Sequence, residues 1–163
     1  MTSGIRGITD KYGGYANRDV PAEDAELTHV GPNTSGGEYL RRFWQPVALS
    51  SEVSDLPVAV TMLGEEVVLF RTRKGELGLL HLHCSHRGAS LEWGIPTDKG
   101  INCCYHGWQY ATDGEILSVP NDPTSTIPKK IRHGAYPVHE YKGIVFTYMG
   151  PPDETPEFPI YDS

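Results

Sequence analysis

Two short stretches concentrate the side chains able to hold a metal. Cys84-Ser85-His86 and, sixteen residues later, Cys103-Cys104-Tyr105-His106 each offer a thiolate and an imidazole on one loop. Two kinds of centre suit that donor set. A tetrahedral zinc ion takes two Cys and two His. A [2Fe–2S] cluster of mixed ligation takes two Cys on one iron and two His on the other, with one ligand of each kind per loop. C-x-H combined with C-x-x-H at this separation fits no common zinc finger, whose histidines come as a pair, so the cluster is the favoured reading. A zinc-stabilised interaction module is the distant alternative. In the cluster, Cys84 and Cys103 would hold the inner iron, and His86 and His106 the outer one. Neutral imidazoles in place of two thiolates make such a cluster less negative. Its potential rises to roughly −150 to +300 mV, against about −400 mV for an all-Cys ferredoxin. Spacing alone also permits Cys104, because Cys104-Tyr105-His106 repeats the C-x-H of the first loop.

The neighbours of these residues suit tight loops around a bulky group: Gly88 after the first pair, Gly107 and Trp108 after the second. Arg87 and Trp108 are candidates to orient the loops and limit solvent access. Ordinary surface charge and packing explain them equally well, and Tyr105 reads as a packing ring. Other histidines invite a second site. His81 and His83 alternate along one strand and read as satisfied or solvent-facing residues rather than a metal pair. His139-Glu140 does not continue to H-E-x-x-H, and there is no G-x-S-x-G, Walker or dinucleotide motif.

The elements that must position the loops read as β structure. Val58–Met62 and Glu66–Phe70 flank a turn at Gly64, Lys74-Gly75 turns the chain into Leu77–Leu80, and Asp113-Gly114 makes another tight turn. Asn121-Asp122-Pro123 opens a loop, and Gly143–Tyr148 is a last strand rich in β-branched and aromatic residues. Before the strands, Ser35 and Glu38 form a capping-box pattern that predicts a short helix over Tyr39–Trp44, stopped by Pro46. The expected organisation is a polar, Gly-rich lead-in over 1–27, an antiparallel β domain over 28–150 with a long excursion at about 83–108, and a Pro-rich acidic linker over 151–163.

Length and composition agree with one globular domain. The chain has 163 residues, 38% of them hydrophobic, and its 18 Gly and 13 Pro favour short strands and many turns. A net charge of −7 argues against nucleic acid or an anionic membrane as partner. No apolar run reaches the length of a membrane span, and the first residues carry no secretory pattern. Three cysteines, two of them adjacent, read as metal ligands in a reducing cytoplasm rather than as disulfides.

Cys84-Ser85-His86-Arg87-Gly88-Ala89 and Cys103-Cys104-Tyr105-His106-Gly107-Trp108 resemble the paired motifs of the Rieske domains of non-haem iron oxygenases, in the phthalate-dioxygenase-like group that includes aryl O-demethylases. Leu40–Val47 and Tyr141–Phe146 extend the resemblance to roughly residues 27–160. It implies an all-β Rieske fold of antiparallel sheets with a smaller cluster-binding subdomain. The family's C-x-x-H second loop selects Cys103 and leaves Cys104 spare. The resemblance and the spacing together put His133 and His139 on a return segment before the last strand. It further implies electron supply from an NAD(P)H-dependent reductase or a ferredoxin, and onward transfer to a mononuclear Fe(II) of the same or a neighbouring subunit in a trimer. That iron would belong to a C-terminal domain beyond this chain, so the 163 residues alone would carry electrons without turning over substrate. A stand-alone Rieske-type ferredoxin is the alternative.

Overall fold

The structure is a computed structural model, described for residues 22–160; most of the expected lead-in, and the last three residues, lie outside that range. Two short helices open the described chain: α1 (Ala25–Thr28) and α2 (Ser35–Leu40). The second lies one turn earlier than the sequence pattern predicts. Its cap is Thr34, extended at φ −100° and ψ 149°, whose hydroxyl accepts the Gly37 N–H. Glu38 reaches back to the Asn33 N–H rather than closing a box with Ser35. Pro46 does not stop a helix but sits in β1 (Gln45–Leu49), an edge strand whose register shifts just after it. An edge or bulge position is where a strand tolerates a missing N–H.

The strands that follow are β2 (Val58–Met62), β3 (Glu65–Arg71), β4 (Leu77–His81), β5 (Ile95–Pro96), β6 (Ile101–Asn102), β7 (Gln109–Tyr110), β8 (Ile116–Ser118), β9 (Ala135–Tyr136), β10 (Val138–Tyr141) and β11 (Ile144–Thr147). They form three antiparallel sheets ordered β1-β11-β10, β2-β3-β4-β9 and β5-β6-β7-β8. The expected excursion is therefore a small sheet of its own and runs on to Ser118. Its strands of two or three residues are too short to show a period in sequence.

The sheet β2-β3-β4-β9 is the middle layer. Val67, Val68, Leu69 and Phe70 of β3 are all fully buried. Alternate side chains of a strand point to opposite faces, so an unbroken apolar run needs cover on both. Val68 and Phe70, with Leu80 from β4, pack against Ile101, Tyr110 and Ile116 of the small sheet. Val67 and Leu69, with Leu79, pack toward Val145 of β11. Each such side chain contributes about 1.5–3 kcal/mol of burial free energy. The β2–β3 hairpin closes through Leu63 and Gly64, both at positive φ (46° and 78°), which fits a two-residue turn of the twist antiparallel strands prefer.

The Pro-rich segment expected as a linker lies against the domain. Trp44 donates from its indole nitrogen to Pro156 O at 3.0 Å, Tyr148 donates to Glu154 O at 3.2 Å, and Arg42 pairs with Glu154. Phe158 then fits among Trp44, His139, Tyr141 and Phe146, with ring centroids 4.1–5.6 Å away. Among the described residues, no helix is long and apolar enough to cross a membrane.

Candidate metal centre

The two Cys/His loops have the same backbone. In the first, Cys84 N–H donates to Ala89 O at 2.9 Å and Gly88 N–H donates to Cys84 O at 2.8 Å. In the second, Cys103 N–H donates to Trp108 O at 2.8 Å and Gly107 N–H donates to Cys103 O at 3.0 Å. Gly88 and Gly107 close the loops at φ +70° and +72°, a left-handed conformation in which a side chain would be strained. Cys84 and Cys103 thus occupy equivalent places. Both are buried, whereas Cys104 is exposed.

The four donors come as two pairs. Cys84 and Cys103 are both buried, and burial, with a further push from neighbouring Cys84, holds the Cys103 thiol above its ordinary value. Two thiols so placed resist becoming two thiolates unless a cation sits between them. The His86 and His106 rings lie with centroids 4.7 Å apart. Desolvation first, then the neighbouring His106 and Arg87, keep the His86 imidazole below its ordinary value and so favour the neutral ligating form. His86 Nδ1 is buried and has no hydrogen-bond partner. An orphaned lone pair in that position fits a metal bond. Among the described residues, no three His, Cys, Asp or Glu side chains are grouped around a single ion. A thiol pair beside an imidazole pair matches instead the division of ligands in a two-iron cluster of mixed ligation.

Trp108, buried, lies flat on the His86 ring at 4.8 Å and 4°. It is both a packed core residue and a plate that orients the imidazole. Arg87 is exposed and lines an open groove of about 630 Å³ beside both histidines, with Val119, Ile127, Lys130 and Ile131 among the other walls.

Roles for two residues beneath the loops and for Ser85 within the first are not legible in the sequence. Tyr110, fully buried, has its hydroxyl 2.9 Å from Cys84 Sγ. Ser85 Oγ meets His133 Nδ1 at 2.7 Å, and the buried His133 ring packs on Tyr110 at 4.5 Å. Only the spacing of Trp108 and Tyr110, two apart and so on one strand face, hinted at Tyr110. His133 does lie on the return segment before β9, yet its ring points under the first loop. The other histidines stay outside the centre. His81 pairs with Glu65 and His83 with Glu66, at 3.4 and 3.2 Å, and His139 stacks on Phe158.

Comparisons with known proteins agree with this geometry. A family model described as Rieske [2Fe-2S] domain matches residues 43–142. The chain is 50% identical over 155 residues to the tert-butanol monooxygenase / tert-amyl alcohol desaturase oxygenase subunit of Aquincola tertiaricarbonis, covering 93% of this chain and 33% of that protein. It is 46% identical over 164 residues to the phenoxybenzoate dioxygenase subunit alpha of Ectopseudomonas oleovorans, covering 99% and 40%. Among solved structures, NdmA of Pseudomonas putida CBB5 superposes with a TM-score of 0.63 at 35% identity, over 69% of this chain and 36% of that one. The chain therefore spans about a third to two fifths of the length of these relatives. A family model across most of the described residues, over a fold with the matching sheets and paired loops, makes this chain a member of the Rieske [2Fe–2S] domain family, with an electron-transfer role of the Rieske kind.

Proposed function

We propose that Cys84 and Cys103 hold one iron of a [2Fe–2S] cluster and His86 and His106 the other. On this reading the domain serves a longer oxygenase subunit, supplying electrons to a mononuclear iron that acts on an organic, most often aromatic, substrate. When bound, the cluster accepts and releases one electron at a potential in the range of about −150 to +300 mV. The observation that carries the reading is the pair of loops with matching hydrogen bonds, which offers two buried thiols and two imidazoles on the groove side.

This chain's own residues then have separate tasks. Burial of Cys84 and Cys103 keeps the inner ligands away from water. Trp108 keeps the His86 ring in one orientation and excludes solvent behind it. Tyr110 donates its hydroxyl hydrogen toward Cys84 Sγ, which as a thiolate can only accept. The groove beside His86 and His106 receives the electron donor, an NAD(P)H-dependent reductase or a ferredoxin, or the catalytic domain of a neighbouring subunit. Arg87 and Lys130, against the single acidic wall residue Asp122, give the groove of an otherwise acidic chain a net basic rim that suits an acidic donor.

Visible absorption and low-temperature EPR of the purified protein, before and after dithionite reduction, test the assignment. A red-brown protein whose reduced form gives the EPR signal of a [2Fe–2S] cluster with mixed Cys/His ligation is the expected result. A colourless protein holding stoichiometric zinc refutes it.

A further inference from the structure

We infer that His133 is the positioning residue of the first metal-binding loop, holding Ser85 from below through a single defined tautomer. The inference rests on the cluster reading above and adds to it a residue 47 positions beyond His86 in sequence. The tautomer follows from the partners. His133 Nε2 lies 2.8 Å from the main-chain oxygen of His81, which can only accept, so Nε2 carries the hydrogen. Nδ1 is then bare, and at 2.7 Å it accepts the hydroxyl hydrogen of Ser85. Ser85 stands between Cys84 and His86, so fixing its side chain fixes the peptide units that aim both ligands. The same ring packs on Tyr110, whose hydroxyl meets Cys84 Sγ. A neutral imidazole thereby touches the first loop by two routes and adds no charge to it.

The backbone around His133 is anchored independently of its ring. His133 N–H donates to Gly114 O at 2.8 Å, and His81 N–H donates to Gly134 O at 2.9 Å. Both glycines are places of close approach: a Cβ on Gly114 would lie 2.1 Å from His133 O, and one on Gly134 would lie 2.3 Å from the His81 ring. The β7–β8 turn and the end of β4 thus hold the residue at both sides, as a strut requires.

The test separates packing from positioning. His133→Phe keeps a ring against Tyr110 but removes the acceptor for Ser85, and Ser85→Ala removes the hydroxyl alone. Each variant should keep the fold by circular dichroism yet shift the g values of the reduced protein. Each should also speed bleaching of the visible band, roughly ten-fold, the scale on which residues supporting metal ligands act. The double variant should change no more than His133→Phe alone, because the contact that Ser85→Ala removes is already gone. Should His133→Phe fail to fold, nitrogen NMR of wild-type His133 in the oxidised protein decides the point: a protonated Nε2 and a bare Nδ1 are expected, and a proton on Nδ1 overturns the inference. Unchanged g values and bleaching in His133→Phe, or additive effects in the double variant, also overturn it. If the wild-type protein itself lacks the Rieske signal, the cluster reading falls and takes this inference with it; a normal wild-type signal beside silent variants removes this inference only.

Discussion

Cys103 and Cys104 differ by one position in sequence and by their whole environment in space. The first is buried at the foot of a loop whose twin begins at Cys84; the second points to solvent. Cys103→Ser should therefore abolish the visible chromophore, while Cys104→Ser should leave the absorption and EPR spectra unchanged. Equal loss in both variants would mean that either thiol can serve. Tyr110 offers a graded version of the same argument. Burial, reinforced by Cys84, raises its phenol well above the ordinary value, so it stays a donor across the working pH range. A hydrogen bond to sulfur favours the more negative, reduced state. Tyr110→Phe should lower the midpoint potential by about 40 mV, the one-electron equivalent of about 1 kcal/mol of lost bias. Protein-film voltammetry would read the shift, and a rise in potential would contradict the assigned donor.

Among the elements, β3 is the most legible, because four consecutive apolar residues, too few for a helix and next to a tight turn, suit a strand covered on both faces. Helix α2 was misplaced by a turn, since Thr34 and Ser35 are both good caps and the choice depended on Asn33, which at φ 63° presents its N–H to Glu38. The segment after Gly150 was read from composition as a linker, and composition does not report that Trp44, His139, Tyr141 and Phe146 leave a place for Phe158. The half-buried Phe158 should therefore count toward stability. Phe158→Ala is expected to cost about 1–2 kcal/mol, less than a fully buried Phe, seen as a lower urea midpoint at unchanged m-value. An unchanged midpoint would mean that the Phe158 contacts add nothing to stability.

At the scale of the whole molecule, three layers put the middle sheet between a sheet that receives the chain's exit and a small sheet that carries the loops. The loops' foundations therefore come from distant stretches of chain, and His133 is the clearest case. Burial, opposed by its bond to His81 O and aided by the facing His81 ring, lowers its pKa. A base whose folded pKa lies below its unfolded value binds its proton more readily in the unfolded state. Its contribution to stability is present above the ordinary imidazole range and is lost as pH falls through that range toward the lowered folded value. Thermal midpoints should accordingly decline from about pH 7 to about pH 5, and His133→Phe should flatten part of that decline. An identical slope in the variant would assign the pH dependence to other groups.

The sequence by itself determined the β class and the Rieske family, and it supplied the two Cys/His motifs proposed to hold the cluster. Ligation is a matter of residue type and short spacing, and the pairs Cys84/His86 and Cys103/His106 each carry both within a few positions. Strand-forming runs and glycine turns are equally local. Spacing alone leaves Cys103 and Cys104 both open and the family pattern selects Cys103; the tertiary structure adds that Cys103 is buried and Cys104 exposed. It alone placed Tyr110 and His133 beneath the first loop and folded the Pro-rich tail onto a sheet. Those contacts join residues far apart in the chain, and they form only once buried polar groups and rings find partners that no local pattern records.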